Sequence, residues 1–135
     1  MSEENKAVIR RWVEELWNKG DLSTVEELFS QEWVNHTPAG DESGLDSIRQ
    51  EVPRRRAAFP DLQMTIEDLV AEGDKVAVRV RMIGTQEGEY RGLRAKGNKV
   101  DIWAVTIRRI RNGKMVEGWT LHDSAVFMRQ LGHSG

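Results

Sequence analysis

There is no cysteine among the 135 residues, which excludes disulfide staples, thiol nucleophiles and thiolate metal sites. Histidine is scarce as well. The three, His36, His122 and His133, are too scattered for the short spacings of metal-ligand pairs, so no metal is expected. No apolar run approaches a membrane span, and the polar start Met1-Ser2-Glu3-Glu4-Asn5-Lys6 has no apolar stretch of signal length behind it. A cytoplasmic location is the default expectation, with no membrane partner. Charge of one sign is lacking too: 20 Lys+Arg stand against 22 Asp+Glu, a formal net charge of −2. Such a chain has no strong field to attract nucleic acid or an anionic membrane.

What is present fits one domain over residues 1–135, long enough to bury a core without staples. Val8, Ile9, Trp12, Val13, Leu16 and Trp17 recur in pairs every fourth residue, which predicts a first helix stopped at Gly20. A second helix is expected with Leu22, Val25, Leu28 and Phe29 on its buried face, started by Asp21 or by the capping-box spacing of Ser23 to Glu26. Trp33-Val34-Asn35-His36 reads as a short extended segment ending at Pro38, followed by a polar loop from Gly40 to Gly44. Leu45, Ile48, Val52 and Phe59 predict a third helix, with a kink or break at Pro53, which has no amide proton to donate. From Leu62 the period changes to two. Met64–Ala71 and Lys75–Thr85 form an expected hairpin around Gly73-Asp74, and a loop from Gln86 to Gly97 carries Tyr90 and Gly92.

Lys99 to Asp123 reads as a longer hairpin closed by Asn112-Gly113, since both central residues of a type I′ turn need positive φ. Ala125 to Leu131 can form a closing helix. Three helices followed by an antiparallel meander predict an α+β fold, with the helices covering one sheet face. The many large apolar residues on strands that must bury both faces add the expectation of a homodimer.

The order and spacing of several segments resemble the SnoaL-like polyketide cyclases. These are the helix from Asn5 to Asp21, then Val34-Asn35-His36, Arg56-Ala57-Ala58-Phe59-Pro60-Asp61-Leu62 and Gly84-Thr85. Gly88-Glu89-Tyr90-Arg91-Gly92, Gly113-Lys114-Met115-Val116-Glu117-Gly118-Trp119 and Gln130-Leu131-Gly132 follow. The resemblance implies the cone-shaped nuclear-transport-factor-2-like fold, a pocket between helices and a curved sheet, a homodimer, and no cofactor. It further implies acid/base aldol ring closure of an aromatic polyketide ester. In the cyclases a carboxylate follows the Trp of the last strand and a His usually precedes it; here those positions hold Thr120 and Gly118. A hydroxyl with an ordinary pKa cannot act as a general base near neutrality. Of that constellation Asn35 is retained.

Candidate catalytic residues are therefore Asp123, His122 and Asn35. Asp123, at the end of the last strand, reads either as a base beside Trp119 or as the cap of the last helix, with Ser124 as the rival cap. His122 shares strand parity with Thr120 and Gly118 and can act as acid or base near pH 7, or it is a partly exposed histidine at a strand end. Asn35 and His36 can orient a carbonyl or serve the turn before Pro38. Trp33, His36, Tyr90, Trp103, Trp119 and Thr120 are candidate ligand contacts, in an apolar pocket that Val34 also lines. Trp12, Trp17 and Trp119 also read as core, and the Arg54-Arg55-Arg56 and Arg108, Arg109, Arg111 groups as solvated faces. Two functional classes stay open. One is a cofactor-free enzyme on a small hydrophobic carbonyl or ester compound, of cyclase, isomerase or hydrolase type; the other is a ligand-binding or dimerisation module without the cyclase carboxylate.

Overall fold

The chain's structure, a computed structural model, describes residues 2–133. Its first helix, α1 (Ser2–Arg11), runs directly into a π-helical segment, Trp12–Asn18, and the chain turns at Gly20 with φ of 69°. Bonding from i to i+5 brings residues five apart into line. Trp12 and Trp17 are so placed, and both are buried with Val13 and Leu16. The side-chain amide of Asn18 then pairs with the backbone of Met64, donating to its carbonyl at 2.9 Å and accepting from its amide at 2.7 Å. Arg56 donates to the carbonyls of Trp17 and Asn18, both at 2.7 Å, and so serves the open C-terminal end of the π segment.

The second helix is shorter than its periodicity suggests. α2 spans only Thr24–Leu28, because Phe29 already takes extended geometry and begins strand β1 (Phe29–Thr37); Leu22 is left exposed. Asp21 accepts from the Ser23 amide and hydroxyl ahead of the helix, and Ser23 makes no side-chain cap. The expected loop after Pro38 is instead strand β2 (Gly40–Ser43), hydrogen-bonded back onto β1. Helix α3 (Asp46–Ala58) passes through Pro53 without a break. The residue lies on the exposed side, where solvent can serve the carbonyl that lost its donor.

Strands β3 (Gln63–Glu72), β4 (Lys75–Thr85), β5 (Lys99–Arg111) and β6 (Lys114–His122) form the meander, and α4 (Ser124–Gln130) closes the chain. The type I′ turn is realised, with Asn112 at φ 54° and Gly113 at 76°. One sheet holds all six strands in the order β2-β1-β6-β5-β4-β3. Every pairing is antiparallel except β1 with β6, which is parallel. The helices pack against one face of this curved, unclosed sheet. On that inner face β4 buries Val76, Val78, Val80 and Met82, and the register carries the face across Arg108, Thr106, Ala104 and Ile102 of β5. It continues through Gly118, Thr120 and His122 of β6 to Asn35 of β1.

Candidate active site

A register irregularity in β6 sets what faces inward. Arg109 pairs with Glu117 while Ile110 pairs with Met115, so Val116 is an extra residue that resets the alternation. Met115 and Gly118 are thereby both buried. No further irregularity intervenes before His122, so Thr120 and His122 keep the inner parity.

A hydrogen-bonded chain crosses this face. Arg108 Nε donates to Thr106 Oγ1 at 3.0 Å, Thr106 and Thr120 hydroxyls lie 2.9 Å apart, and Thr120 Oγ1 donates to Asn35 Oδ1 at 2.8 Å. Asn35 Nδ2 in turn donates to Glu42 Oε1 at 3.2 Å. Its direction is fixed at both ends: the Glu42 carboxylate can only accept, and the guanidinium can only donate. Since Thr120 spends its proton on Asn35, Thr106 must donate to Thr120. The amide of Asn35 is thus held with its oxygen toward Thr120, and its second Nδ2–H is not used by this chain.

Arg108 is buried and no carboxylate among the described residues forms an ion pair with it. Its guanidinium lies over the rings of Trp12, 4.2 Å from the centroid, and Trp33, 4.9 Å away. Burial alone pushes its pKa down to about 9. The sequence reading of Arg108 as part of a solvated face is corrected: it shares parity with Thr106 and Ala104, and that alternation was the available signal. Gly118 makes room for this arrangement, as a Cβ there would stand 2.7 Å from Trp33.

At the mouth of the cone, Glu51 of α3 accepts from Tyr90 Oη, from Arg54 Nη1 at 3.2 Å and from Arg91 Nη2 at 2.7 Å. It also pairs with Arg55 Nη2 at 3.0 Å. Although burial works to raise the Glu51 pKa, these partners hold it below the usual range. Tyr90 is buried, edge-on to Phe59 and Phe127, and a tight turn with Arg91 at φ 51° and Gly92 at 83° returns the chain to Leu93. Contrary to the solvated face expected for it, Arg55 is partly buried over Trp17, 5.0 Å from its centroid. Its spacing of four from Glu51 was a visible signal; the approach of Arg91 was not, because it depends on the path of an irregular loop.

The remaining candidates divide between the two sheet faces. Asn35, Thr120 and His122 share the inner face, and Trp33 and Tyr90 are buried within the cone. His122 is solvent-accessible at the strand end, yet its pKa is held below 6.5 by desolvation and then by the Arg55 and Arg91 charges, against the negative charges of Asp123 and Glu42. Asp123 caps α4, its Oδ1 accepting from the Val126 amide at 3.1 Å. Val34, His36, Trp103 and Trp119 fall on the outer face, because they alternate with the inner set or pair with its neighbours. Trp103 is 58% exposed. His36 stacks on Trp119 and bridges Asp41 and Glu117 at 2.8 and 2.7 Å, beside an outer groove of about 410 Å³. The single apolar pocket expected from all these residues is therefore divided by the sheet itself.

The model of the SnoaL-like polyketide cyclase family matches residues 7–131. The chain belongs to that family. IdmH from Streptomyces antibioticus, named a polyketide cyclase, is 31% identical, with 95% of this chain and 98% of IdmH covered and a TM-score of 0.79. AclR from Streptomyces galilaeus, named a hydroxylase, is 30% identical, with 98% and 83% covered and a TM-score of 0.86. TsrD from Streptomyces laurentii is 28% identical over 96% of both chains, with a TM-score of 0.86. A search of curated proteins finds no match. Among the described residues no helix is long and apolar enough to cross a membrane, and no cluster of His, Asp and Glu is arranged to hold a metal ion.

Proposed function

We propose that this SnoaL-like chain is a cofactor-independent acid/base enzyme acting on a small hydrophobic carbonyl compound. The observation that carries this reading is the one-way hydrogen-bond chain from Arg108 through Asn35 to Glu42, with His122 two residues beyond Thr120 on the same strand face. His122 is neutral near pH 7, as a general base must be. It removes a proton from the carbon next to a carbonyl, and the second amide N–H of Asn35 donates to the oxygen on which the charge develops. The enolate then attacks a second carbonyl of the same molecule. A carbon–carbon bond forms, and the new alkoxide takes its proton from the His122 imidazolium. The position after Trp119, where the resemblance to the cyclases would put the base, holds Thr120, and His122 is two residues further along the same face. Asp123 contributes as the cap of α4 and as a negative charge near His122.

The test is deuterium incorporation from solvent at the activated carbon of a panel of β-keto esters, followed by NMR. Wild type should exceed the buffer rate, rise with pH through a value below 6.5 and then level off, while His122→Gln loses about a hundredfold or more. A wild-type rate equal to buffer removes the enzyme reading. A second reading, a binding module without chemistry, is favoured by one feature: Trp12, Arg108 and Trp33 fill the floor of the cone beside Gly118. Ligand stabilisation without exchange would select it.

A further inference from the structure

Three guanidinium groups, those of Arg54, Arg55 and Arg91, converge on a single carboxylate, Glu51, which also accepts from Tyr90. A carboxylate offers two oxygens and their lone pairs; with four donor groups on it Glu51 has no room for more. The donors are not exhausted in return. Arg55 Nε is shared between Glu51 Oε2 and the Tyr90 oxygen, both at 3.2 Å, Arg91 Nε reaches the Tyr90 oxygen at 3.3 Å, and Arg55 Nη1 ends on the sulfur of Met82 at 3.9 Å. A thioether is a weak acceptor, and Met82 belongs to the inner face of β4. The unspent edge of Arg55 thus points at the cone's interior. Deeper in the same cone, Arg108 repeats the pattern, with Nη1 on Met115 sulfur at 3.3 Å and no carboxylate beside it. In a chain whose formal net charge is −2, three guanidinium groups against one carboxylate leave a local excess of positive charge here, and apolar walls strengthen such a field.

We propose that the ligand of this cone carries a carboxylate group, and that Arg55 and Arg91 at the mouth receive it. The inference rests on reading the inner face as the ligand site. A planar pair of oxygens matches the guanidinium fork in two parallel hydrogen bonds, whereas Glu51 takes Arg55 Nε and Nη2 on one oxygen and single nitrogens of Arg54 and Arg91 on the other. The bound carboxylate replaces the sulfur as partner of Arg55, and the ligand's hydrophobic body lies toward Tyr90 and Phe127. It also brings negative charge toward His122. Desolvation and then the Arg55 and Arg91 charges lower the His122 pKa, against Asp123 and Glu42; a bound carboxylate offsets those two positive charges, so the pKa rises on binding and the complex takes up protons.

The experiment measures binding of naphthalene-2-carboxylate, naphthalene-2-carboxamide and 2-naphthyl phosphate by calorimetry in two buffers of different ionisation enthalpy. The carboxylate should bind about tenfold tighter than the amide, weaken with salt and show proton uptake. Arg91→Gln and Arg55→Gln should remove that preference, and the exposed Arg111→Gln should keep it. Arg91 is a surface position, so its variant keeps the test open if Arg55→Gln fails to fold. Equal binding of acid and amide overturns the carboxylate while leaving the cone as a ligand site. Tighter binding of the phosphate overturns the choice of carboxylate. Binding of none of the three overturns this proposal and the ligand-site reading beneath it, whereas absence of deuterium exchange alone touches only the chemistry.

Discussion

A methyl group at position 118 would stand 2.7 Å from Trp33 Cη2 and 3.2 Å from Arg108 Cδ. Both neighbours are buried, so neither can swing aside cheaply. Gly118→Ala should therefore cost about 1–3 kcal/mol by overpacking, read from the urea midpoint. It should also disturb the stacking of Arg108 on Trp12 and Trp33, visible as a change in tryptophan fluorescence. On the outer face a single imidazole gives a different test. When protonated, His36 donates to both Asp41 and Glu117, and these bonds raise its pKa above 6.5 against a smaller desolvation effect. A raised folded-state pKa means that its contribution to stability is fully present below 6.5 and is lost as pH rises through the folded value. The difference in melting temperature between wild type and His36→Gln should thus be larger at pH 6 than at pH 8.5. A pH-independent difference would show that the imidazole acts through its stacking on Trp119 instead.

At the scale of the element, the last strand and the helix after it meet at Asp123, which accepts from the Val126 amide. Asp123→Ala should lower stability by about 1 kcal/mol, while Asp123→Asn, which can still accept that bond, should stay close to wild type in chemical denaturation. The cap was one of the two roles readable in the sequence, because strand end, carboxylate and helix follow one another directly. The β3–β4 and β5–β6 hairpins were equally legible, since alternation and the Gly73 and Asn112-Gly113 turns are local signals. β2 was not. Its four residues are all exposed and carry no alternation, and only pairing with β1 makes them a strand. The parallel contact of β1 with β6 is hidden for the same reason, as it joins Asn35 to Gly118 across most of the chain. Within the site, strand parity placed Thr120 and His122 together, whereas the meeting of Glu51 with Arg91 depends on how α3 and the loop before β5 pack.

At the scale of the whole molecule, the sheet's outer face carries large apolar side chains that the helices do not cover. Val70, Trp103, Val105, Ile107 and Leu121 are exposed on it, with Trp103 at 58% and Leu121 at 62%. The register sets Trp103, Val105 and Ile107 in line along β5, and Leu121 lies opposite Val105 on β6. Contiguous apolar area of this kind on a sheet face marks an interaction surface. Its rim is charged in both signs, with Arg79 paired to Asp68 and Arg81 to Asp101, so a second copy related by a two-fold axis can set each sign against the other. We propose that this face joins two copies of the chain. Light scattering at micromolar concentration should then give twice the chain's mass, and Leu121→Lys or Trp103→Lys should give one chain's mass with unchanged circular dichroism. Placing a charge at the centre of an apolar interface leaves it buried and unpaired, so the loss should be large and should not be restored by salt. Since His122 lies on the opposite face of the same strand, a monomer made this way should keep its deuterium exchange. A wild-type mass of one chain, or a dimer that survives both substitutions, would move the contact elsewhere on the molecule and leave the outer tryptophan face without a partner of its own kind.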